Sequence, residues 1–272
     1  MSSLLLPLVS TGNVPQLATD LILHSLAPDF AFVQELDSMF LFPFVGPLDY
    51  VRDSQANLYQ NTQDKTFTTP LELFHSPSLK LYVVQQRSPV IQPYDNCFCK
   101  NVLVPLVETL KISQLVVFDA TDSVDEIIGV PQLRKSPYSL GICDLSHIDD
   151  ISSEFEEKLQ IDDSNTQSVN KTLFKFTDNS FQSGIATEQF IFKLCYHLLH
   201  SPVICGFLKE IRYFNTYVQE GDNSEDAAAA CGQLPHIISG FPKITQYKTP
   251  ISWEGVYGVR NAPITFEEGL YI

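Results

Sequence analysis

The chain has 272 residues, 44% of them hydrophobic and 18% charged, which is enough apolar material for one large domain. Seventeen Lys and Arg against 32 Asp and Glu leave a net charge of −15, a field that repels phosphate backbones and argues against general nucleic-acid binding. Any partner surface is expected to be neutral or basic.

Six cysteines, Cys97, Cys99, Cys143, Cys195, Cys205 and Cys231, are scattered along the chain. None has C-x-x-C spacing, and Cys97-Phe98-Cys99 lacks the second ligand pair of a structural zinc site. They read as buried thiols in a reducing compartment. The opening MSSLLLPLVST has no basic segment ahead of its apolar run, so a first strand is expected there rather than a signal peptide. No run reaches the ~20 apolar residues of a membrane helix. These features point to the cytosol, with the nucleus as a further compartment.

Leu4 to Ser10 reads as a buried strand. Thr11-Gly12-Asn13 stops it, and Pro15 at a first helical position, with Asn13 or Val14 as cap, starts a helix. Val14, Leu17, Ala18, Leu21, Ile22 and Leu26 fall on one face of that helix. Phe40 to Val45 is a second strand candidate, closed by Gly46-Pro47, and residues 51–70 read as an exposed polar loop. Leu79 to Gln86 reads as a strand. Residues 95–111 carry Phe98, Val102, Leu106 and Leu110 at helical spacing, with Pro105 forcing a kink or a late start.

Gln114 to Asp119 is a buried strand ending in an acid. Residues 120–170 read as an acidic insertion, with one helix over Ile148 to Leu159 and a polar tract, DDSNTQSVNK, of disordered composition. Thr187 caps a helix with the apolar stripe Phe190, Ile191, Leu194, Cys195, Leu198 and Leu199, ended by Ser201-Pro202. Phe207 to Val218 reads as a strand. Gly221-Asp222-Asn223 turns the chain into a helix begun by Ser224, Glu225 and Asp226. Alternating strands and helices predict a single-domain α/β sandwich around a mostly parallel sheet over residues 1–266, with residues 267–272 as a flexible tail.

Several chemical motifs compete with plainer readings. Ser10-Thr11-Gly12-Asn13 could cradle a phosphate at a helix N-terminus. With neither G-x-G-x-x-G nor a P-loop, a simple strand-to-helix turn is favoured. Asp119, Asp122, Asp125 and Glu126 could line a metal or acid–base site, but no His or Lys lies nearby in sequence, and solvated acids are the commoner case. His197 and His200 are three apart on one helix, yet H-E-x-x-H is absent and His200 sits where a cation complements the helix dipole. No G-x-S-x-G elbow anchors a hydrolase triad. Trp253, the single tryptophan, and Tyr257 are either core aromatics or interface anchors, and the sequence leaves both open.

Six blocks carry a family resemblance: LPLVSTGNVPQLATDLIL (6–23), FVGPLD (44–49), QQRSPV (85–90), YSLG (138–141), EGDNSEDA (220–227) and PISWEGVYG (250–258). Together they resemble the proteasome assembly chaperone 2 family, its fungal form most of all. Residues 145–185 match nothing in it. The resemblance implies a fold similar to that of nucleoside phosphorylases and a non-catalytic, ATP-independent chaperone without cofactor or metal. It also implies a heterodimer with the related proteasome assembly chaperone 1 and action on the α-ring of the 20S proteasome.

Members of the family are similar in ending on a hydrophobic-Tyr-X motif that docks between adjacent α-subunits, matched here by Leu270-Tyr271-Ile272. The chemistry suits that role. The Ile272 carboxylate can pair with a basic pocket residue. Leu270 and the Tyr271 ring supply apolar burial. Gly269 frees the exit angle of the tail, and Glu267 and Glu268 keep it solvated. Three residues bind weakly alone, so a partner with its own tail would act by avidity. The rival expectation is a nucleoside- or phosphate-handling enzyme using Gly12, Asn13 and Asp119.

Overall fold

The computed structural model describes residues 2–52, 54–62, 64–122, 136–145, 174–176 and 189–258. Its core is an eight-stranded sheet. In chain order the elements are β1 (Ser3–Pro7), α1 (Val14–Ser25), β2 (Ala31–Glu35), β3 (Gly46–Pro47), β4 (Phe67–Thr68), β5 (Leu71–Ser76) and β6 (Leu81–Gln86). Then come α2 (Asp95–Phe98), α3 (Val104–Leu110), β7 (Gln114–Asp122), β8 (Tyr138–Asp144) and β9 (Lys175–Phe176). Last are α4 (Phe190–Leu199), β10 (Glu210–Val218), α5 (Ser224–Cys231) and α6 (Leu234–Ile237).

The sheet order is β2-β5-β6-β1-β7-β10-β8-β9, and β3 and β4 form a separate small ribbon. The central strands β6, β1, β7 and β10 run parallel. The flanks are antiparallel, with β5 and β2 on one side and β8 and β9 on the other. The expected parallel character therefore resides in the middle of the sheet, where both faces are covered by helices.

Strand alternation divides the core in two. Leu4 and Leu6 of β1 join Leu115 and Val117 of β7 on one face, under α3 and α4. Leu5, Val116 and Phe118 point to the other face, under α1 and α5. The two apolar layers, one on each side, give the α/β sandwich that the alternation of elements predicts. Among the described residues no helix is long and apolar enough to cross a membrane.

Three local expectations need correction. Phe40 to Val45 is not a strand. Leu41 makes a single bridge to Val90, and residues 42–45 are exposed. The apolar run has no neighbouring strand to pair with, so its composition misleads. Residues 51–70 are not uniformly exposed, because Leu58, Tyr59 and Thr68 are buried. The stretch 120–170 includes sheet: β7 runs on to Asp122, and β8 pairs with β10. β2 and β5 were also not anticipated. The helix over 148–159, the tract DDSNTQSVNK, the Thr187 cap and the tail at 267–272 lie outside the described residues.

The kink expected at Pro105 takes a definite form. A single π turn over Cys99–Leu103 joins α2 to α3, and Pro105 enters in the first turn of α3. The wider turn accommodates a residue with no N–H and a ring that would clash with an α-helical carbonyl.

Candidate functional site

The turn after β1 brings Gly12 and Asn13 into left-handed backbone, at φ 64° and 53°. The space above it is filled. A Cβ on Gly12 would lie 2.3 Å from Asn223 Nδ2, so only glycine fits there. Asn223 Nδ2 also donates to the Gly221 carbonyl at 3.0 Å. The Asn223 side chain therefore packs directly against the turn, with its amide tied to the neighbouring loop.

Asp119 stands at the same end of the sheet. It accepts hydrogen bonds from Tyr213 Oη and the Ala120 amide, both at 2.8 Å. Desolvation pushes its carboxyl above the usual range, opposed by bonds from Tyr213, Ala120 and Ser10. The neighbouring Ala120 amide also donates to Ser10 Oγ at 3.0 Å, which ties this part of β7 to the turn before Gly12 and Asn13, and the Asp119 carboxylate is engaged by the fold. Asp122 ends β7, while Asp125 and Glu126 lie outside the described residues.

His197 Nε2 meets Asn96 Oδ1 at 3.1 Å, and His200 Nδ1 meets the Tyr196 carbonyl at 2.7 Å. Among the described residues no group of three His, Cys, Asp or Glu could hold a metal ion.

A charged cluster missed by sequence reasoning draws together four of the six resembling blocks. Asp20, on the buried side of α1, is 2% exposed. Its carboxylate receives Gln85 Nε2 at 2.6 Å and Trp253 Nε1 at 3.1 Å. Arg87 approaches both oxygens, Nη1 at 3.1 Å and Nη2 at 3.0 Å. Asp49 lies 4.0 Å from the same guanidinium and accepts from the amide and hydroxyl of Ser252. Burial works against the Arg87 charge, and Asp20 and Asp49 more than restore it. His24 is packed beside this group, and desolvation lowers its pKa against the opposing pull of Asp20 and Asp49.

The visible signal was an acid in an apolar stretch, Asp20 within LATDLIL. A carboxylate on a buried helix face demands a partner, but sequence spacing cannot say which one.

The cluster clamps residues 250–258 onto the domain. Trp253 is buried at 4% exposure and packs with the apolar layer under α1 and α5. Tyr257 is half-buried and packs edge-on against it, ring centroids 5.6 Å apart. The Ile251 amide donates to the Tyr50 carbonyl at 2.8 Å, and the Gly258 amide to Asp222 Oδ2 at 2.7 Å. Arg52 and Glu254 add an exposed ion pair at 2.6 Å. The arrangement fixes the place from which the chain continues towards Leu270, Tyr271 and Ile272, which themselves lie outside the described residues.

Comparison with known proteins agrees with the blocks. The Proteasome assembly chaperone 2 of Saccharomyces cerevisiae is 34% identical over 265 residues, covering 96% of this chain and 97% of that protein. The Proteasome assembly chaperone 2 of Xenopus laevis is 27% identical over 276 residues, covering 98% and 95%. Among solved structures, a Thermoplasma acidophilum protein of unknown function superposes with a TM-score of 0.53 at 13% identity, over 90% of this chain and 78% of that one. That likeness concerns the fold alone. The PAC2 family description matches residues 4–238, and on this match and the yeast identity the chain belongs to the PAC2 family.

Proposed function

We propose that this protein is a non-catalytic, ATP-independent chaperone for assembly of the 20S proteasome α-ring. It works as a heterodimer with the related proteasome assembly chaperone 1, in the cytoplasm and the nucleus. Leu270, Tyr271 and Ile272 dock in a pocket between α-subunits, with the Ile272 carboxylate meeting a basic residue. The observation that carries this reading is the near full-length similarity to the yeast chaperone, at 97% coverage of that protein. The clamp on residues 250–258 is what such a role needs, because a docking tail gains by leaving a rigid domain at a fixed point. The non-catalytic reading is supported by relatives that are named assembly chaperones.

The test is a pull-down with purified 20S particles. The full chain, co-expressed with its partner chaperone, is compared with a form lacking Leu270 to Ile272. Loss of binding in the truncated form, at an unchanged melting temperature, is expected. Equal binding by both forms would move recognition to the globular face. Failure of both to bind, with a melting temperature raised by nucleosides or phosphate, would reinstate the enzyme.

A further inference from the structure

The connection between β2 and β3 presents its side chains in an unusual order. Phe40 and Leu41 are buried, whereas Phe42, Pro43, Phe44 and Val45 are all exposed. Met39 and Val45 keep 70% and 69% of their surface open. A run of consecutive exposed apolar residues is a liability in water and characteristically marks a surface that another molecule covers. The strip is held in place. The Phe42 amide donates to the Pro89 carbonyl at 3.1 Å, and its own carbonyl accepts from Ser88 Oγ at 2.7 Å. The Phe44 ring lies over Gly46, where an added Cβ would sit 3.0 Å from Cζ. Such pre-organisation reduces the entropy lost on association.

Pairing of β3 with β4 places Pro47 opposite Phe67 and so extends the strip. Phe67 is also one wall of a pocket of about 510 Å³, with Phe32, Glu35, Asp64 and Lys65 among the others. The Lys65 ammonium is already engaged, at 2.7 Å from Glu35 and 2.8 Å from Glu72 and 4.6 Å from the Phe32 ring centroid. Burial alone would lower its pKa, but the bonds to both glutamates raise it. Glu35 stays half-open and Asp64 is exposed. Among the lining residues Glu35 and Asp64 outnumber the Lys65 ammonium, which leaves the pocket net negative, and Phe32 and Phe67 give it two aromatic walls. That combination suits an ammonium or guanidinium group.

We infer that the Met39–Val45 strip and the adjoining acidic pocket form the docking face for the partner chaperone. The fitting partner surface sets apolar side chains beside a lysine or arginine that enters the pocket. This rests on the heterodimer reading above. A second copy of the chain fits poorly, because it brings the same acids and its own charge of −15. An anionic membrane is disfavoured for the same reason.

The test uses the full chain and its partner chaperone, purified separately and titrated, with melting temperatures measured for every variant. Phe44→Ser/Val45→Ser is expected to weaken the heterodimer by roughly 30-fold or more, the range of interface hot spots. Asp64→Lys should weaken it less, and Val203→Ser, at an exposed site outside the strip and the pocket, should leave it unchanged. If Phe44→Ser/Val45→Ser fails to fold, Met39→Ser/Val45→Ser takes its place. Tight wild-type binding that survives the strip variant would overturn the docking face and leave the chaperone reading standing. No wild-type binding to the partner would overturn the heterodimer reading, and this inference with it. Strip-dependent self-association by sedimentation, or strip-dependent binding to phosphatidylserine vesicles, would assign the face to a different occupant and refute the proposal.

Discussion

Arg87 and Lys65 are both cations set between two carboxylates, and the fold treats them differently. The Arg87 guanidinium grips both oxygens of the buried Asp20, with Asp49 beside it. Lys65 meets the buried Glu72 on one side and the half-open Glu35 on the other. The two clusters are neighbours, since Glu72 of β5 faces Gln85 of β6, and Gln85 binds Asp20. A polar layer thus continues from Trp253 through Asp20 and Glu72 to Glu35. A planar fork suits the closed end, where geometry is fixed on several sides. A point charge on a flexible stem suits the open end, where one partner faces solvent. The closed cluster fastens the C-terminal segment, and the open one lies beside the apolar strip.

Substitutions can break this comparison or sharpen it. Asp20→Ala should have the largest effect, about 3–5 kcal/mol of unfolding free energy by urea titration, because it strands the Arg87 charge in a buried site. Lys65→Met should cost less, about 1–3 kcal/mol, since Glu72 keeps hydrogen bonds from Tyr59 Oη and the Thr69 amide. Glu35→Gln, at the open end, should cost about 1 kcal/mol or less. Equal losses for Asp20→Ala and Glu35→Gln would erase the distinction between closed and open.

The smallest effect concerns pH. His24 is buried, and its folded pKa lies below the ordinary value near 6.5. The unfolded chain therefore takes up the proton first on acidification. The contribution of neutral His24 to stability is present above about pH 6.5 and is lost as pH falls from there towards the folded pKa. The urea midpoint of His24→Gln should depend less on pH between 7 and 5.5 than that of the wild type. Parallel slopes would mean that His24 does not titrate in that window.

Elements with strong periodicity or clear punctuation were legible. Thr11-Gly12-Asn13 and Pro15 located the start of α1, and the stripe from Ile191 to Leu198 marked α4. The same rules misread Phe40 to Val45, because an apolar run signals a buried strand only where a neighbour exists to pair with it. β8 was concealed by its position between acidic segments, although its pairing with β10 is extensive. Of the charged cluster the sequence offers one trace, the acid Asp20 in an apolar stretch, and none of its partners. Asp20 and Trp253 are 233 positions apart, and only the folded sheet joins them. The tail residues stood out from chemistry and family likeness, while the clamp on residues 250–258 did not.

The bond from the Gly258 amide to Asp222 has a mechanical consequence. Against a desolvation effect of opposite sign, that bond and those from Ser224 hold the Asp222 carboxyl below its usual range. It therefore remains a charged acceptor well into mild acid. From this mooring to Leu270 the sequence provides 12 peptide units, and at roughly 3.6 Å each the leash can extend no further than roughly 43 Å. Under the tail docking proposed above, every pocket that Leu270 could reach lies within that distance of Gly258. On that proposal, inserting residues between Gly258 and Leu270 would lower the effective concentration of the tail at its pocket, and deleting them would shorten its maximum span.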